Sequence, residues 1–341
     1  MMETKIRNME DFAKASGISR PTISKYFNDP NAVRNTTRER IEQALETYDY
    51  RPNIFAMNQN RKLTRNIGVV VPSLADPFFA EIARNVERRC IDAGYQPTLY
   101  SAHGNRDQEV EILDSLRSLK PAGLLIAPLG RNSDKAMIEK FSQKVPTVLF
   151  DSYLPDIGLS FGGSDNFQFG RLIVDYLCRT GTPPCFFEMQ NPANPNANKR
   201  RQGYIAAMEA LGHAPQVVSV TGEGWNFEEI GRNGGLEVID SDGFPSDTVL
   251  CSNDRLAIGL ISACFARKIP VGFEEDSAIR IAGMDDHPFS RFTCPPLTTI
   301  SQDYEAISKH AVETLFGNLE GDEITDKVVL FEGNLIMRKS A

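Results

Sequence analysis

The chain has 341 residues, 41% of them hydrophobic and 24% charged, which excludes a disordered composition and allows a small module beside two larger lobes. The net charge of −8 is distributed unevenly, because the first 65 residues contain 12 Lys and Arg against 8 Asp and Glu. The other 276 residues contain 25 against 37, so a basic segment of charge +4 precedes an acidic body of charge −12. Only the basic segment suits a polyanionic partner such as nucleic acid.

The N-terminus and the cysteines indicate a cellular compartment. Residues 1–5 contain no apolar stretch typical of a secretory signal, and nowhere do 18 apolar residues follow one another. The six cysteines show no zinc-type spacing and lie mostly in apolar runs, which is typical of reduced, packed thiols. We therefore expect a cytoplasmic protein that has no membrane partner.

Residues 8–28 carry the signals of two short helices joined by a tight turn. Asn8 is a good N-cap, and Gly17 permits the turn that ends the first helix. Ser19 caps a second helix with Pro21 in its first turn, where the missing N–H costs nothing. The pattern predicts a helix-turn-helix that binds the DNA major groove, with a helical hairpin of some other use as the alternative.

The second of these helices has an inner and an outer side. Ile23 and Phe27 are four residues apart and face inward, which leaves the other side free to contact DNA. Cationic side chains there can reach guanine edges, and a proline can contact a thymine methyl group. The predicted DNA-binding residues of this helix are Ser19, Arg20, Pro21, Thr22, Ser24 and Lys25.

A third helix completes the predicted module. Thr36 and Glu39 are spaced as a capping box, and the apolar side chains at 41, 44, 45 and 48 form one stripe. Together with the helix-turn-helix, this run resembles the DNA-binding headpiece of the lactose/galactose-repressor (LacI–GalR) family of transcription regulators. The resemblance covers essentially the whole chain, and it implies a homodimer that binds operator DNA.

Residues 51–65 form a connector between the headpiece, at 1–50, and the body, at 66–341. The segment is helix-compatible after Pro52 but too short to be stable alone in water, and a flexible linker without DNA contact is the alternative. The resemblance implies a hinge helix that folds on operator DNA, with Asn53 and Gln59 as further DNA-binding residues. The family usually has a Leu wedge where this chain has Gln59. Because an amide is costly to desolvate between bases, we expect a weaker kink in the operator.

From residue 66 onward, apolar runs alternate with amphipathic helices, which predicts α/β lobes with parallel sheets. One series has strands at 67–71, 96–100, 123–127 and 147–150, and a second has strands at 186–189, 217–220, 248–251 and 279–282. We expect a helix over 199–211 and a hairpin-like stretch over 328–337. The predicted fold class is α/β, with the helix-turn-helix headpiece followed by a two-lobed, periplasmic-binding-protein-like domain of two parallel sheets.

The resemblance also implies where the chain passes between the lobes. It places the first lobe at about 66–162 and 294–322, and the second at about 163–293 and 323–341.

Ligands of such sheets bind beyond the carboxyl ends of the strands, where this chain has carboxylates, amides and aromatic side chains. These groups suit a polyhydroxyl ring, whose hydroxyls pair with polar groups while its C–H faces stack on aromatic rings. The resemblance singles out the same region, since the family's cleft Arg precedes a Gly by three residues, as Arg200 does here. The candidate ligand-binding residues are Asp76, Phe78, Phe79, Asp151, Asp165, Arg200, Trp225, Asn253 and Asp285.

Several of these candidates, and the neighbouring residues Asp254 and Asp286, also have a purely structural interpretation. Asp165, Asp254 and Asp286 could cap the helices that follow them, and one of the two phenylalanines could belong to the core. The aromatic residue of the third loop could be Phe227 instead of Trp225.

No catalytic motif suggests an enzyme, because the chain lacks a phosphate-binding glycine motif, a GxSxG elbow and an HExxH sequence. We expect no cofactor and no metal. The preferred interpretation is a transcription regulator, specifically a repressor, whose operator affinity is controlled by a sugar or sugar derivative bound between the lobes. A purine-type co-repressor is the first alternative, and a sugar-binding protein without a gene-regulatory role is the second.

Overall fold

The computed structural model describes residues 6, 8–52, 64–192 and 194–341, and the chain divides into two compact units, 1–64 and 65–341. The predicted DNA-binding residues Asn53 and Gln59 lie outside the described residues. No helix in the described part of the chain is long and apolar enough to cross a membrane.

The first unit contains three helices, α1 (Met9–Ser16), α2 (Arg20–Asn28) and α3 (Asn35–Thr47). The Asn8 carboxamide oxygen accepts hydrogen bonds from the first turn of α1, and Gly17 ends α1 in the left-handed region with φ 64°. The Ser19 hydroxyl caps α2 by accepting from the Thr22 amide, as predicted. The buried core of this unit consists of Phe12, Ile18, Ile23, Ile41 and Tyr50.

The predicted capping box of α3 is wrong. The helix begins at Asn35, one residue before the expected cap Thr36, and Arg34 occupies the N-cap position without a side-chain hydrogen bond. The amides of Thr37 and Arg38 both donate to the Arg34 carbonyl at 2.9 Å, so Thr36 already lies inside the first turn.

The first lobe of the second unit is built on a six-stranded parallel sheet. Its strands lie in the order β11, β5, β4, β3, β1, β2. Helix α11 packs on this sheet through Ile307, Ala311, Val312 and Leu315. The elements of this lobe are β1 (Asn66–Val71), α4 (Pro77–Asp92), β2 (Gln96–Ser101), α5 (Arg106–Leu119), β3 (Gly123–Ile126), α6 (Lys135–Ser142), β4 (Thr147–Phe150), β5 (Phe161–Ser164), α11 (Tyr304–Glu320) and β11 (Val328–Phe331).

The second lobe has a four-stranded parallel sheet in the order β7, β6, β8, β9, and an antiparallel pair, β10 with β12. Its elements are α7 (Asn166–Thr180), β6 (Cys185–Met189), α8 (Pro195–Ala210), β7 (Val217–Val220), α9 (Phe227–Asp240), β8 (Thr248–Cys251), α10 (Asp254–Ala266), β9 (Arg280–Ala282), β10 (Thr299–Ser301) and β12 (Asn334–Ile336). Central strands in both lobes are continuous buried runs, because helices cover both faces of each sheet.

The chain crosses between the lobes later than the sequence predicted. Strand β5, around the expected boundary at 162, pairs with β4 in the first lobe. Strand β10 pairs with β12 in the second lobe, so the chain returns to the first lobe after residue 301 instead of at 294. Strand β11 pairs in parallel with β5, which keeps residues 328–331 in the first lobe and contradicts both the predicted boundary at 323 and the predicted hairpin. Strand β5 escaped prediction because its two central glycines disfavour strands.

Candidate functional sites

The candidate DNA-binding face lies on α2. Arg20, Pro21 and Lys25 are exposed, and Thr22 and Ser24 are half-buried, while Ile23 opposite them is fully buried. Ser19 is exposed, and its hydroxyl lies 2.7 Å from the Thr22 hydroxyl. The buried side of α2 thus anchors the helix and leaves Arg20, Pro21 and Lys25 exposed on its other side.

The candidate effector site is a cleft between the two lobes, with an empty space of about 890 Å³ including its open mouth. Parallel strands end at this cleft, so residues that follow β1, β4, β8 and β9 meet there although they are distant in sequence. Of the predicted ligand-binding residues, the structure brings the following to the cleft wall: Asp76, Phe78, Phe79, Asp151, Arg200, Trp225, Asn253 and Asp285.

Asp165 does not line this cleft. Its carboxylate caps α7 by accepting hydrogen bonds from the amides of Phe167 and Gln168, at 3.1 and 3.0 Å. Asp165 is therefore a helix cap, which was the structural alternative for this residue.

Arg200 makes three side-chain hydrogen bonds in the cleft. It is 7% exposed, and its guanidinium donates to the Asn166 amide oxygen at 3.0 Å and the Ser252 carbonyl at 2.8 Å. A third bond, to the Asp285 carboxylate at 2.5 Å, forms a buried ion pair. Asp285 also accepts from the Gln302 amide at 2.6 Å. These bonds hold Asp285 in place at the end of β9.

Asp151 follows β4 and links the two lobes. Its carboxylate accepts from the Asn196 amide at 2.7 Å and from the Asn194 amide at 3.2 Å, both at the start of α8. Burial raises the pKa of Asp151 to about 6, and the positive charges of Arg200 and Lys199 oppose that rise. The backbone of Asp151 has φ 60°, which is uncommon for a residue with a side chain and typical of functional sites.

A second ion-paired group crosses the cleft at Arg255. This guanidinium binds Glu228 with two parallel hydrogen bonds of 2.7 Å and donates to Asp76 at 3.0 Å. Arg255 and Glu228 belong to the second lobe, whereas Asp76 caps α4 in the first. Burial raises the pKa of Asp76, and the Arg255 charge partly offsets that rise.

Aromatic side chains form the apolar wall. Phe78 packs edge-on against Tyr304 with ring centroids 5.6 Å apart, and Phe79 packs against Trp225 at 6.0 Å. Trp225 in turn contacts Phe227 at 5.8 Å, and both residues line the cleft, so the two sequence alternatives are both part of the wall. Such flat surfaces suit the C–H faces of a ring.

The predicted ligand-binding residues do not include several side chains of the cleft. They are Asn194, Asn196, Arg255, His287, Gln302 and Tyr304. The start of α8 was predicted at 199, but the helix begins at Pro195 behind an Asn194 cap, and this turn brings both asparagines to Asp151. The Asn-Pro pair is an N-cap signal that could have located this turn. Gln302 and Tyr304 reach the cleft only because the chain crosses between the lobes there.

Asp254 and Asp286, which the sequence offered as helix caps, instead bind other side chains and backbone groups. Asp254 is fully buried and accepts from the Ser290 and Thr299 hydroxyls and the His287 amide, while Asn253 caps α10. Burial raises the pKa of Asp254 to about 7. Asp286 pairs with Arg338 at 2.6 Å.

A helix-turn-helix unit followed by a two-lobed α/β unit with a polar and aromatic cleft defines a class of protein, the ligand-responsive transcription regulators. Residues 8–53 match the family described as bacterial regulatory proteins, lacI family, and residues 175–341 match the periplasmic binding protein-like domain. These two matches confirm the resemblance to the LacI family of transcription regulators that the sequence predicted.

Full-length relatives agree with this assignment. The chain is 28% identical to the HTH-type transcriptional repressor CytR of Escherichia coli strain K12, over 97% of this chain and 95% of that protein. It is 27% identical to the ribose operon repressor of the same strain, over 98% and 99%. The lac repressor dimer bound to operator and the anti-inducer ONPF has the same fold, with a TM-score of 0.85 at 24% identity over 98% and 99% of the two chains. These relatives are transcriptional repressors, not enzymes.

Proposed function

We propose that this protein is a homodimeric repressor whose operator affinity is controlled by a small polyhydroxyl ligand bound between its lobes. The observation that carries the proposal is the cleft itself, in which three carboxylates, two guanidiniums and several amides surround a space walled by aromatic rings. Vicinal hydroxyls can pair with the polar groups while the ring stacks on the aromatic ones. A ribose-like sugar is the first candidate, because one relative is a ribose operon repressor.

DNA recognition is assigned to the exposed side of α2. Arg20 and Lys25 carry the donors that read guanine edges in the major groove, and Pro21 is placed to contact a thymine methyl group. In a homodimer, two such helices read two symmetric half-sites, so the operator should be palindromic.

Coupling between the two functions follows from linkage. A ligand that binds less well to the DNA-competent arrangement of the lobes weakens DNA binding. DNA weakens ligand binding by the same factor, because the coupling free energy is reciprocal. The ligand contacts both lobes, since Asp76 and Asp151 come from the first and Arg200 and Asp285 from the second. We propose induction as the sign of the coupling, and co-repression is the alternative.

The test is a thermal-shift screen of free sugars and nucleosides, followed by operator titrations with each ligand that stabilises the protein. The operator is selected from random duplex DNA with the purified protein. A saturating ligand at about 100 times its dissociation constant should stabilise the protein by about 2.7 kcal/mol. Induction predicts weaker operator binding with ligand, and co-repression predicts tighter binding. A protein that binds sugar but selects no DNA sequence would be a sugar-binding protein without a regulatory role.

A further inference from the structure

Arg255 is held between carboxylates of both lobes. Its Nε and one terminal nitrogen bind Glu228, and its other terminal nitrogen binds Asp76. The Arg255 side chain is 16% exposed and that of Asp76 is 12% exposed, so solvent screens this contact only weakly. One positive charge therefore faces two negative charges.

The other arginine of the cleft is also compensated. Arg200 donates to two oxygens of neutral groups and to the Asp285 carboxylate. The lining thus contains three carboxylates, Asp76, Asp151 and Asp285, against two guanidiniums. His287 adds no charge at neutral pH, because burial lowers its pKa.

Among the residues that the structure describes, two further cations lie near the cleft without lining it. Lys199 faces Asp151 and stands 5.8 Å from the Phe161 ring centroid, and the exposed Arg131 donates to the Pro192 carbonyl at 2.7 Å. Helix N-termini, which often bind anions, also point to the cleft. In the first turn of each of these helices, however, one amide already donates to the side chain of its cap, which is Asp76, Asn194 or Asn253.

We propose that the cleft selects an uncharged ligand and rejects phosphorylated or carboxylated sugars, and that Arg255 with Asp76 and Glu228 is the specificity-determining group. The proposal rests on the effector site of the proposed function and narrows its ligand class. The bonds from Arg200 and Gln302 both use one oxygen of Asp285, so its other oxygen can accept from a ligand hydroxyl. Each oxygen of Asp76 accepts one hydrogen bond and has a lone pair left for a second. A phosphate in the cleft would lie close to these carboxylates and be repelled by them. Neither guanidinium could bind it as an unpaired cation, because each already binds a carboxylate.

The test uses inorganic phosphate, so it requires no knowledge of the effector. Wild-type protein, Glu228→Gln and the double variant Asp76→Asn/Glu228→Gln are titrated with phosphate at constant ionic strength, by calorimetry and thermal shift. Wild type should show no saturable phosphate binding. The double variant should bind phosphate at least about tenfold more tightly than the weakest binding that the wild-type titration would detect, which corresponds to about 1.4 kcal/mol, and Glu228→Gln should lie between the two.

Asp240→Asn is the matched control. Asp240 binds Arg267 with the same two-bond geometry as Glu228 binds Arg255, but on the protein surface, where the two side chains are 49% and 42% exposed. This variant should behave like wild type towards phosphate. If the double variant does not fold, as judged by circular dichroism, Glu228→Gln carries the comparison alone.

Two results would overturn the proposal. One is saturable phosphate binding by wild type that Arg255→Gln abolishes, and the other is no gain of phosphate binding in the folded variants. A parallel titration with D-ribose and D-ribose 5-phosphate tests the charge selection separately from the proposed function. Binding of the phosphate ester to wild type contradicts the charge selection, whereas failure of every neutral sugar and nucleoside to bind contradicts the proposed function.

Discussion

Arg255 of α10 and Asp76 at the start of α4 form an ion pair of 3.0 Å that joins the two lobes across the effector cleft. The hydrogen bond from Asn196 to Asp151, at 2.7 Å, joins the lobes a second time. Candidate ligand-binding groups therefore also hold the lobes together, so a ligand that displaces either contact would change the balance between lobe arrangements. We propose this change as the way in which an occupied cleft alters operator binding.

Arg255→Gln should lower the free energy of unfolding of the second unit by about 3 kcal/mol. The substitution leaves the buried Asp76 carboxylate and the half-buried Glu228 carboxylate without their counter-charge. Urea denaturation followed by tryptophan fluorescence measures the change, since Trp225 is in the same cleft. Arg267→Gln is the control: its surface pair with Asp240 should contribute less than about 1 kcal/mol. An equal loss of stability in the two variants would show that the ion pairs of Arg255 in the cleft stabilise the protein no more than a surface ion pair does.

Asp151→Asn should gain stability relative to wild type as pH rises from about 4 to 6. Because the folded-state pKa of Asp151 is raised to about 6 from 3.8, the folded state binds the proton more tightly than the unfolded state does. Wild type therefore loses stability as pH rises from about 4 to 6, by about 3 kcal/mol relative to the variant, and the difference is constant above that range. Urea titrations of both proteins at pH 4 and pH 7.5 measure it. A difference that does not grow with pH would contradict the raised pKa.

Arg200→Ala and Asp285→Asn should abolish the response to the effector while operator binding remains, if the ligand is an inducer. Both variants break the ion pair that holds Asp285 at the end of β9. Operator titrations with and without ligand give the response, and direct calorimetry separates lost ligand binding from lost DNA binding. Wild-type responses in both variants would mean that the effector binds elsewhere.

Lys25→Ala should weaken operator binding by about 1–3 kcal/mol and relax specificity at one symmetric pair of base positions. Lys25 is exposed on α2 and takes no part in the headpiece core, so folding should be unaffected. Titrations against operator and random duplex measure the specificity ratio. If the ratio of the two affinities is unchanged, Lys25 contacts only the phosphate backbone or no DNA at all.

Gln59→Leu should increase the bend at the operator centre. Leucine can replace base stacking with apolar contact, whereas glutamine would lose hydration of its amide between the bases. Circular-permutation gel shifts on the two proteins compare the bends, and equal bends would exclude a wedge at this position.

The sequence by itself determined the helix-turn-helix, because its signals act over three or four residues. The caps at Asn8 and Ser19 and the turn at Gly17 need no tertiary information to specify two helices and the turn between them. Many of the cleft residues that were predicted could be found for a related reason. Parallel strands end at one edge of a sheet, so the residue after each apolar run, such as Asp151 or Asp285, is a candidate wherever the run lies.

Only the tertiary structure decided how those candidates are used. Asp151 and Asp165 both follow a strand, yet one lies in the cleft and the other caps α7. Their difference depends on the chain passing into the second lobe directly after β5, and no local pattern records that passage. The pairing of β11 with β5 and the contact of Arg255 with Asp76 likewise join residues more than 150 positions apart. Such contacts form because folding brings distant surfaces together to bury them, and that long-range packing is what one sequence read locally does not contain.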